Sequence, residues 1–125
     1  KLVDFLRARL DEDEAVARAL VDDGRPGRTE RWEFCDDGAI RDTGPHRSLR
    51  VKFTWSPEAA HIARQDPARV LAEVEAKREV VRLAERAHDY HETFMNGFAA
   101  AIEQTLRMFA VAYADHPDYR EEWKP

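Results

Sequence analysis

The clearest candidate for chemistry in this sequence is the segment HDYHE at residues 88 to 92. His88 and His91 are three residues apart and Glu92 lies one turn beyond His88, so a helix would place them close together. Helix bundles hold zinc or paired metal ions with such sets. A complete site needs a further ligand from elsewhere in the chain or from a second copy. Because this spacing is common and no HExxH motif is present, we favour a polar patch at a helix bend and predict no cofactor.

A second candidate is the pair His61 and Asp66, which could act as an acid–base or metal-ligand pair. Asp66 stands directly before Pro67, and Ser56 stands directly before Pro57, which is the pattern of a helix start. We therefore favour structural roles, with Ser56 and Asp66 as helix caps. Replacing Asp66 with alanine is expected to cost about 1 kcal/mol and replacing it with asparagine little.

Aromatic side chains at Trp32, Phe34 and Trp55 could form a platform on which nucleic-acid bases stack. The basic residues of the same region are Arg31, Arg50 and Lys52. Strand alternation puts these on the face opposite the aromatics, and the chain is acidic, with a net charge of −5. We therefore predict that the aromatics face a core and that nucleic-acid binding is unlikely, although a nucleic-acid-associated regulator remains an alternative function.

Charged residues between 73 and 82 have the spacing of ion pairs on a solvated helix face. The predicted pairs are Glu73–Lys77, Glu75–Arg78 and Glu79–Arg82. The single cysteine, Cys35, lies beside two aspartates that disfavour its thiolate, so it is a poor nucleophile candidate. Nothing here indicates an enzyme, and a metal-dependent enzyme is the third-ranked function.

Composition predicts one folded domain of 125 residues with no internal disulfide, since only one cysteine is present. No apolar run approaches the roughly 18 residues that a membrane span needs. The first residues include Asp4, which does not fit a secretory signal. We therefore expect a cytoplasmic protein.

The elements that must position these residues follow from periodicity. The predicted fold is α+β and mostly helical, with a helix at 1–23, a small antiparallel β meander at 30–55 and a short helix at 57–64. A long helix or a helical hairpin then covers 67–114, and a short helix covers 117–123. Trp123 indicates that the end of the chain is docked.

An apolar stripe at three-to-four spacing runs from Val80 to Tyr113. Asn96-Gly97 is its weakest point, so one continuous helix and two helices joined near 88–97 are equally compatible with the pattern. In either case the stripe has more apolar surface than the rest of one chain can cover, which predicts a homodimer. The predicted interface consists of Tyr90, Phe94, Phe98, Ile102, Leu106 and Phe109.

Three segments carry a family resemblance: LVDFLRARLDEDEAVARA at 2–19, HIARQDPARVLAEVEAKR at 61–78 and YADHPDYREEWKP at 113–125. They resemble an uncharacterised family of small proteins of actinobacteria and their phages, known only as a domain of unknown function. The resemblance implies an accessory protein, phage- or mobile-element-associated, with no assigned catalysis.

The chain departs from that family pattern in two places. Relatives often have a cysteine between the last two signatures, whereas residues 86–104 have none, which weakens any metal role. Relatives often have proline where this chain has Ala112, and its absence favours a long helix. The sequence therefore predicts a small non-enzymatic protein that self-associates and binds another protein.

Overall fold

A computed structural model describes residues 1–22, 24–25, 27–89 and 96–125. The predicted α+β, mostly helical fold is confirmed. Helices cover most of the described chain, and one small sheet interrupts them. In chain order the elements are α1 (Leu2–Ala19), β1 (Trp32–Phe34), β2 (Ile40–Asp42), β3 (Leu49–Val51), α2 (Ser56–Arg64), α3 (Pro67–Asp89), α4 (Asn96–Ala110) and single 3-10 turns at Val111–Tyr113 and Glu121–Trp123.

The described residues form two compact units. The helical unit consists of Lys1–Glu12 and Val74–Pro125, and the sheet unit consists of Asp13–Glu73. Helices α1 and α3 therefore each contribute residues to both units.

The helical unit has a core of aliphatic and aromatic side chains. Leu2, Phe5 and Leu6 recur at three-to-four spacing, so one face of α1 enters this core. The remaining buried members are Val81, Ala87, Ile102, Leu106, Ala110 and Trp123. Each fully buried large side chain stabilises the fold by about 1.5–3 kcal/mol relative to its exposed state.

This core decides between the two helical arrangements that the sequence allowed. Val81 on α3 and Leu106 on α4 belong to the same cluster around Leu6. In one straight helix these two residues, 25 positions apart, would be separated by about 38 Å at 1.5 Å per residue. The chain therefore has two helices here, and residues 90–95 between them lie outside the described part.

The sheet unit contains the predicted antiparallel meander, with strand order β1-β2-β3. Its first hairpin pairs Trp32 with Asp42 and Phe34 with Ile40. The register shifts in the second hairpin, where Ile40 pairs with Val51 but Arg41 pairs with Leu49. Such a bulge redirects a side chain, and Arg50 is the extra residue on β3. The strands are short, and Phe53 and Trp55 lie beyond the end of β3.

The two predicted caps differ in the structure. Helix α2 begins at Ser56 itself, after Trp55, and no side-chain hydrogen bond caps it. The Ser56 prediction is therefore wrong: the serine already belongs to the helix, one position too late to cap it. Asp66 does cap α3, because its Oδ1 accepts a hydrogen bond from the backbone N–H of Arg69 at 3.0 Å.

Candidate interaction surfaces

The helical unit presents an uncharged face on α4, away from the core. We call it the α4 outer face and define it by Phe98, Ala101, Gln104, Thr105, Met108 and the adjoining Val111. Phe98, Met108 and Val111 are 43%, 57% and 49% exposed. The Thr105 hydroxyl donates to the carbonyl of Ala101 at 2.9 Å, so its polar group is satisfied within the helix. This face is far more apolar than a solvated helix face normally is.

The charged residues of α4 are engaged elsewhere. Glu103 and Arg107 form an ion pair across one turn, with 3.5 Å between Arg107 Nε and Glu103 Oε1. Arg107 also donates to the carbonyl oxygen of Glu122 at 2.9 Å. Both charged side chains therefore have partners within the helical unit, although Glu103 is 51% exposed, and the six residues of the outer face are neutral.

The burial pattern corrects the predicted dimer interface. Ile102 and Leu106 are only 7% and 1% exposed, because α1, α3 and the end of the chain already cover them. Phe109 is partly buried against the same core. Of the predicted set, Phe98 is exposed, while Tyr90 and Phe94 lie outside the described residues. Any interface on α4 must therefore use the part of the helix that the core leaves exposed, with Phe98 at its edge and Met108 within it.

The end of the chain docks on α1 through aromatic rings. Trp123 lies 5.0 Å from the ring centre of Phe5, and Tyr119 lies 6.2 Å from it. Arg9 is buried, lies over the Phe5 ring at 5.3 Å and contacts the ring nitrogens of His116. The tail signature thus has a structural reason: it closes the core of the helical unit.

The sheet unit contains a buried ion pair that sequence reasoning missed. Asp42 and Arg50 have side chains 0% and 4% exposed, and Asp42 Oδ2 lies 3.2 Å from an Arg50 nitrogen. The carboxylate also accepts hydrogen bonds from the backbone N–H groups of Thr29, Gly44 and Ser48. Arg50 lies over the Trp32 ring at 5.3 Å. The only sequence signal was an aspartate before Thr43-Gly44, a turn pattern.

This network is structural. Arg50 donates to the carbonyls of Leu20 at 2.9 Å and Thr29 at 3.4 Å, so it holds the loop after α1 on the sheet. Burial acts to raise the pKa of Asp42, but the backbone donors at Gly44 and Thr29 and the charge of Arg50 outweigh it. The pKa of Asp42 is therefore below its ordinary value, and the carboxylate is ionised at neutral pH.

The predicted aromatic platform is not a core. Phe34 and Trp55 are 41% and 83% exposed, so the prediction that they face a core is wrong, whereas Trp32 is half-buried beneath Arg50. Phe53, beyond the end of β3, is 80% exposed as well. The strands end before Phe53, and the buried residues described in this unit are instead Ile40, alanines and the ion pair. The platform is also incomplete, because Arg50 is buried with Asp42.

The other predicted candidates separate in space or have structural partners. His61 is exposed, whereas Asp66 also accepts a hydrogen bond from the Trp32 backbone N–H at 3.0 Å. Asp66 therefore ties α3 to β1. In the metal candidate, His91, Glu92 and the His88 side chain lie outside the described part of the chain. Within that part, no group of three or more His, Cys, Asp or Glu side chains could hold a metal ion.

The charged face of α3 has two of the three predicted ion pairs, Glu75–Arg78 at 4.0 Å and Glu79–Arg82, whereas Glu73 and Lys77 have other partners. Glu73 pairs with Arg69 at 2.9 Å, and Lys77 instead lies over the Phe109 ring at 5.8 Å. Arg82 contacts Glu79 as predicted and also lies 3.1 Å from Glu75. These are exposed pairs worth a few tenths of a kcal/mol each.

Cys35 is half-buried at the end of β1. Its sulfur accepts a hydrogen bond from Arg47 at 3.5 Å. Arg47 in turn pairs with Glu33. These contacts link the Cys35 thiol to the neighbouring residues of the sheet.

The fold and its surfaces define a small α+β protein with a helical core, a polar-centred sheet and exposed apolar patches. The chain belongs to a family of unknown function, DUF6221, whose model matches residues 1–125. Comparison with the curated proteins and with the solved structures gives no match. None of the described helices is long and apolar enough to cross a membrane.

Proposed function

We propose that this protein is non-enzymatic and works by binding proteins, beginning with a second copy of itself. The observation that carries the proposal is the α4 outer face, on which Phe98, Met108 and Val111 are 43–57% exposed with no charged side chain among them. A helix face of this kind marks an interaction site, since monomers rarely expose contiguous apolar patches.

The residue sizes on this face suit helix–helix contact. Ala101 and Thr105 are small and lie between the larger Phe98 and Met108. Two such helices packed antiparallel would place large residues of one copy against small residues of the other, and helix axes can then approach to about 8 Å. The same patch on both copies closes a two-fold dimer.

The polar groups of the chain support a non-enzymatic role. Asp42, Arg50 and Asp66 each have hydrogen-bond partners that hold the fold together. The phage- or mobile-element-associated accessory role implied by the sequence resemblance, and a cytoplasmic location, are part of the same proposal.

Analytical ultracentrifugation of variants on this face tests the proposal. The chain mass is 14.5 kDa, so sedimentation equilibrium of a dimer would give a molecular mass about twice that value. Met108→Glu and Phe98→Glu place a charge in the contact and are expected to weaken dimerisation by at least about 30-fold, as loss of an interface hot spot does. Ala76→Glu, on an exposed position of α3, is the matched control and should sediment as the parent does.

The proposal would be overturned if the parent chain were still monomeric at a protein concentration of about 100 μM. So would association that Met108→Glu and Phe98→Glu leave unchanged. Far-ultraviolet circular dichroism would establish that the variants are folded, which is expected because both positions are substantially exposed.

A further inference from the structure

We propose that Met108 is an oxidation site that controls self-association through the α4 outer face. Conversion of its thioether to a sulfoxide places a polar oxygen in the contact and dissociates the dimer. The inference rests on the proposed function, because it names the regulation of that same surface. Three features carry it: the exposure of Met108, the neutral side chains around it, and its position outside the core of the helical unit.

Met108 is the most open sulfur-containing side chain among the described residues. It is 57% exposed. The only other methionine of the sequence, Met95, lies outside the described residues. The single cysteine, Cys35, is half-buried, and its sulfur accepts a hydrogen bond from Arg47. A dissolved oxidant reaches a sulfur atom through solvent, so in the described part of the chain it meets the thioether of Met108 most readily.

The oxidant is a hydroperoxide, of which hydrogen peroxide is the simplest. A lone pair of the Met108 sulfur attacks one peroxide oxygen, so that an S–O bond forms as the O–O bond breaks. The second oxygen takes up the proton that the transferred oxygen loses and leaves as water. The sulfur is oxidised by two electrons and the peroxide is reduced by two. The product is a polar sulfoxide, which methionine sulfoxide reductases convert back to methionine, so the change is reversible.

The α4 contact has no hydrogen-bond donor opposite Met108. When two α4 helices pack antiparallel, Met108 of one copy lies against the small residues Ala101 and Thr105 of the other. Ala101 has no side-chain donor, and the Thr105 hydroxyl already donates to the Ala101 carbonyl at 2.9 Å. A sulfoxide oxygen is therefore buried there without a donor, whereas water supplies donors to it in the monomer. Oxidation thus favours the monomer.

The symmetry of the dimer doubles the effect of oxidation, and the fold is left intact. Each copy contributes one Met108 to a two-fold contact. One buried acceptor without a donor weakens dimerisation by about tenfold, so two weaken it by about 100-fold. Ile102 and Leu106, not Met108, form the core on this helix, so a polar group at position 108 changes association and leaves folding unaffected. Oxidation at this position therefore acts as a switch on association.

Sedimentation equilibrium of the full chain before and after treatment with hydrogen peroxide tests this inference. Met108→Leu is the matched control, because leucine keeps an apolar side chain of similar volume without a sulfur, while Met95 and Cys35 remain. We expect the untreated parent and the untreated variant to dimerise. Peroxide should weaken dimerisation of the parent by about 100-fold and leave that of Met108→Leu unchanged. Peptide mass mapping confirms that Met108 has gained one oxygen atom, and circular dichroism confirms that the helices persist.

The rate of oxidation provides a second measurement. Because the dimer covers the sulfur, the rate constant for oxidation of Met108 should fall as the protein concentration rises through the dissociation constant. A rate that does not change with concentration, in a chain that dimerises over the same range, would place Met108 outside the contact and overturn the inference.

The two proposals fail on different results. A parent that dimerises as before with its Met108 fully oxidised would overturn the oxidation switch, and so would Met108→Leu that dissociates in peroxide as the parent does. Both results leave the α4 contact standing, because the untreated parent, Met108→Glu and Phe98→Glu decide that proposal. An untreated parent that is monomeric overturns both.

Discussion

The helical unit and the sheet unit of this chain are stabilised by opposite means. The helical unit buries large apolar side chains such as Leu6, Leu106 and Trp123 in one cluster. The buried hydrophobic residues described in the sheet unit are Ala17, Ala39, Ile40 and Ala59, and all but one are alanine. At its centre the sheet unit instead has the ion pair of Asp42 and Arg50.

The difference explains where the exposed aromatics lie. The described core of this unit, which consists of Ile40, three alanines and one ion pair, does not include Phe53 or Trp55, which are 80% and 83% exposed. The helical unit packs the aromatic side chains near the end of the chain into its core, and its exposed large apolar side chains among the described residues are Leu83 of α3 and, on and beside α4, Phe98, Met108 and Val111. The sheet unit thus fixes its centre with an ion pair and hydrogen bonds, and the large aromatic side chains after β3 are left exposed.

The largest expected effect is on the sheet unit. Asp42→Ala leaves the buried guanidinium of Arg50 without its carboxylate partner and three backbone N–H groups without their acceptor. We therefore expect the free energy of unfolding to fall by about 3–5 kcal/mol. Urea denaturation followed by circular dichroism measures this. The double variant Asp42→Leu with Arg50→Met removes both charges together and should cost less than the single change.

Glu73→Ala is the matched control for that experiment, because it breaks an ion pair in the same unit whose side chains are 45% and 47% exposed. We expect a loss below about 1 kcal/mol. Equal costs for the buried and the exposed pair would contradict the claim that the sheet unit depends on its internal ion pair.

The corresponding change in the helical unit is Leu106→Ala, at a side chain that is 1% exposed. Deleting buried methyl groups should lower the free energy of unfolding by about 2–5 kcal/mol. Met108→Ala, two residues along the same helix and 57% exposed, should change it by less than about 0.5 kcal/mol. If both changes cost the same in a urea titration, the assignment of the two faces of α4 is wrong.

A smaller expected effect is the dependence of the stability of the sheet unit on pH. The pKa of Asp42 is lower in the folded chain than in the unfolded chain, where it is about 3.9. Its stabilising contribution is therefore complete above pH 4 and is lost as pH falls through the folded pKa. Below pH 4, the urea midpoint of the parent should decrease more steeply with falling pH than the midpoint of Asp42→Asn. The asparagine variant has no carboxyl group at this position to titrate. Parallel curves would remove Asp42 as the source of that acid sensitivity.

Periodicity in the sequence predicted the helical unit well. Leu2, Phe5 and Leu6 share a face of α1, and Ile102 and Leu106 share a face of α4, as their spacing indicates. Periodicity did not predict whether the same chain or a second copy covers the face of α4 that contains Ile102 and Leu106. Helices α3 and α4 share one core, so α1 and Trp123 cover Ile102 and Leu106, which the sequence analysis assigned to a contact with a second chain.

The sheet unit was less predictable for two physical reasons. Alternation located the strands, but whether Phe53 and Trp55 are covered depends on where β3 ends, and it ends at Val51. The pairing of Asp42 with Arg50 depends on a register shift between Ile40 and Arg41, which no local pattern encodes. Burial of charge is a property of the assembled sheet.

Asp66 joins α3 to the sheet. Its two oxygens accept hydrogen bonds from the backbone N–H groups of Arg69 and Trp32, each at 3.0 Å. Asp66→Ala removes both and should cost about 1–2 kcal/mol of unfolding free energy in urea. Asparagine has a single oxygen acceptor, so Asp66→Asn serves only one donor and should lie between alanine and the parent rather than match the parent, as a cap alone would predict. An asparagine variant as stable as the parent would show that the hydrogen bond to Trp32 contributes nothing, and the aspartate would then be a cap and no more.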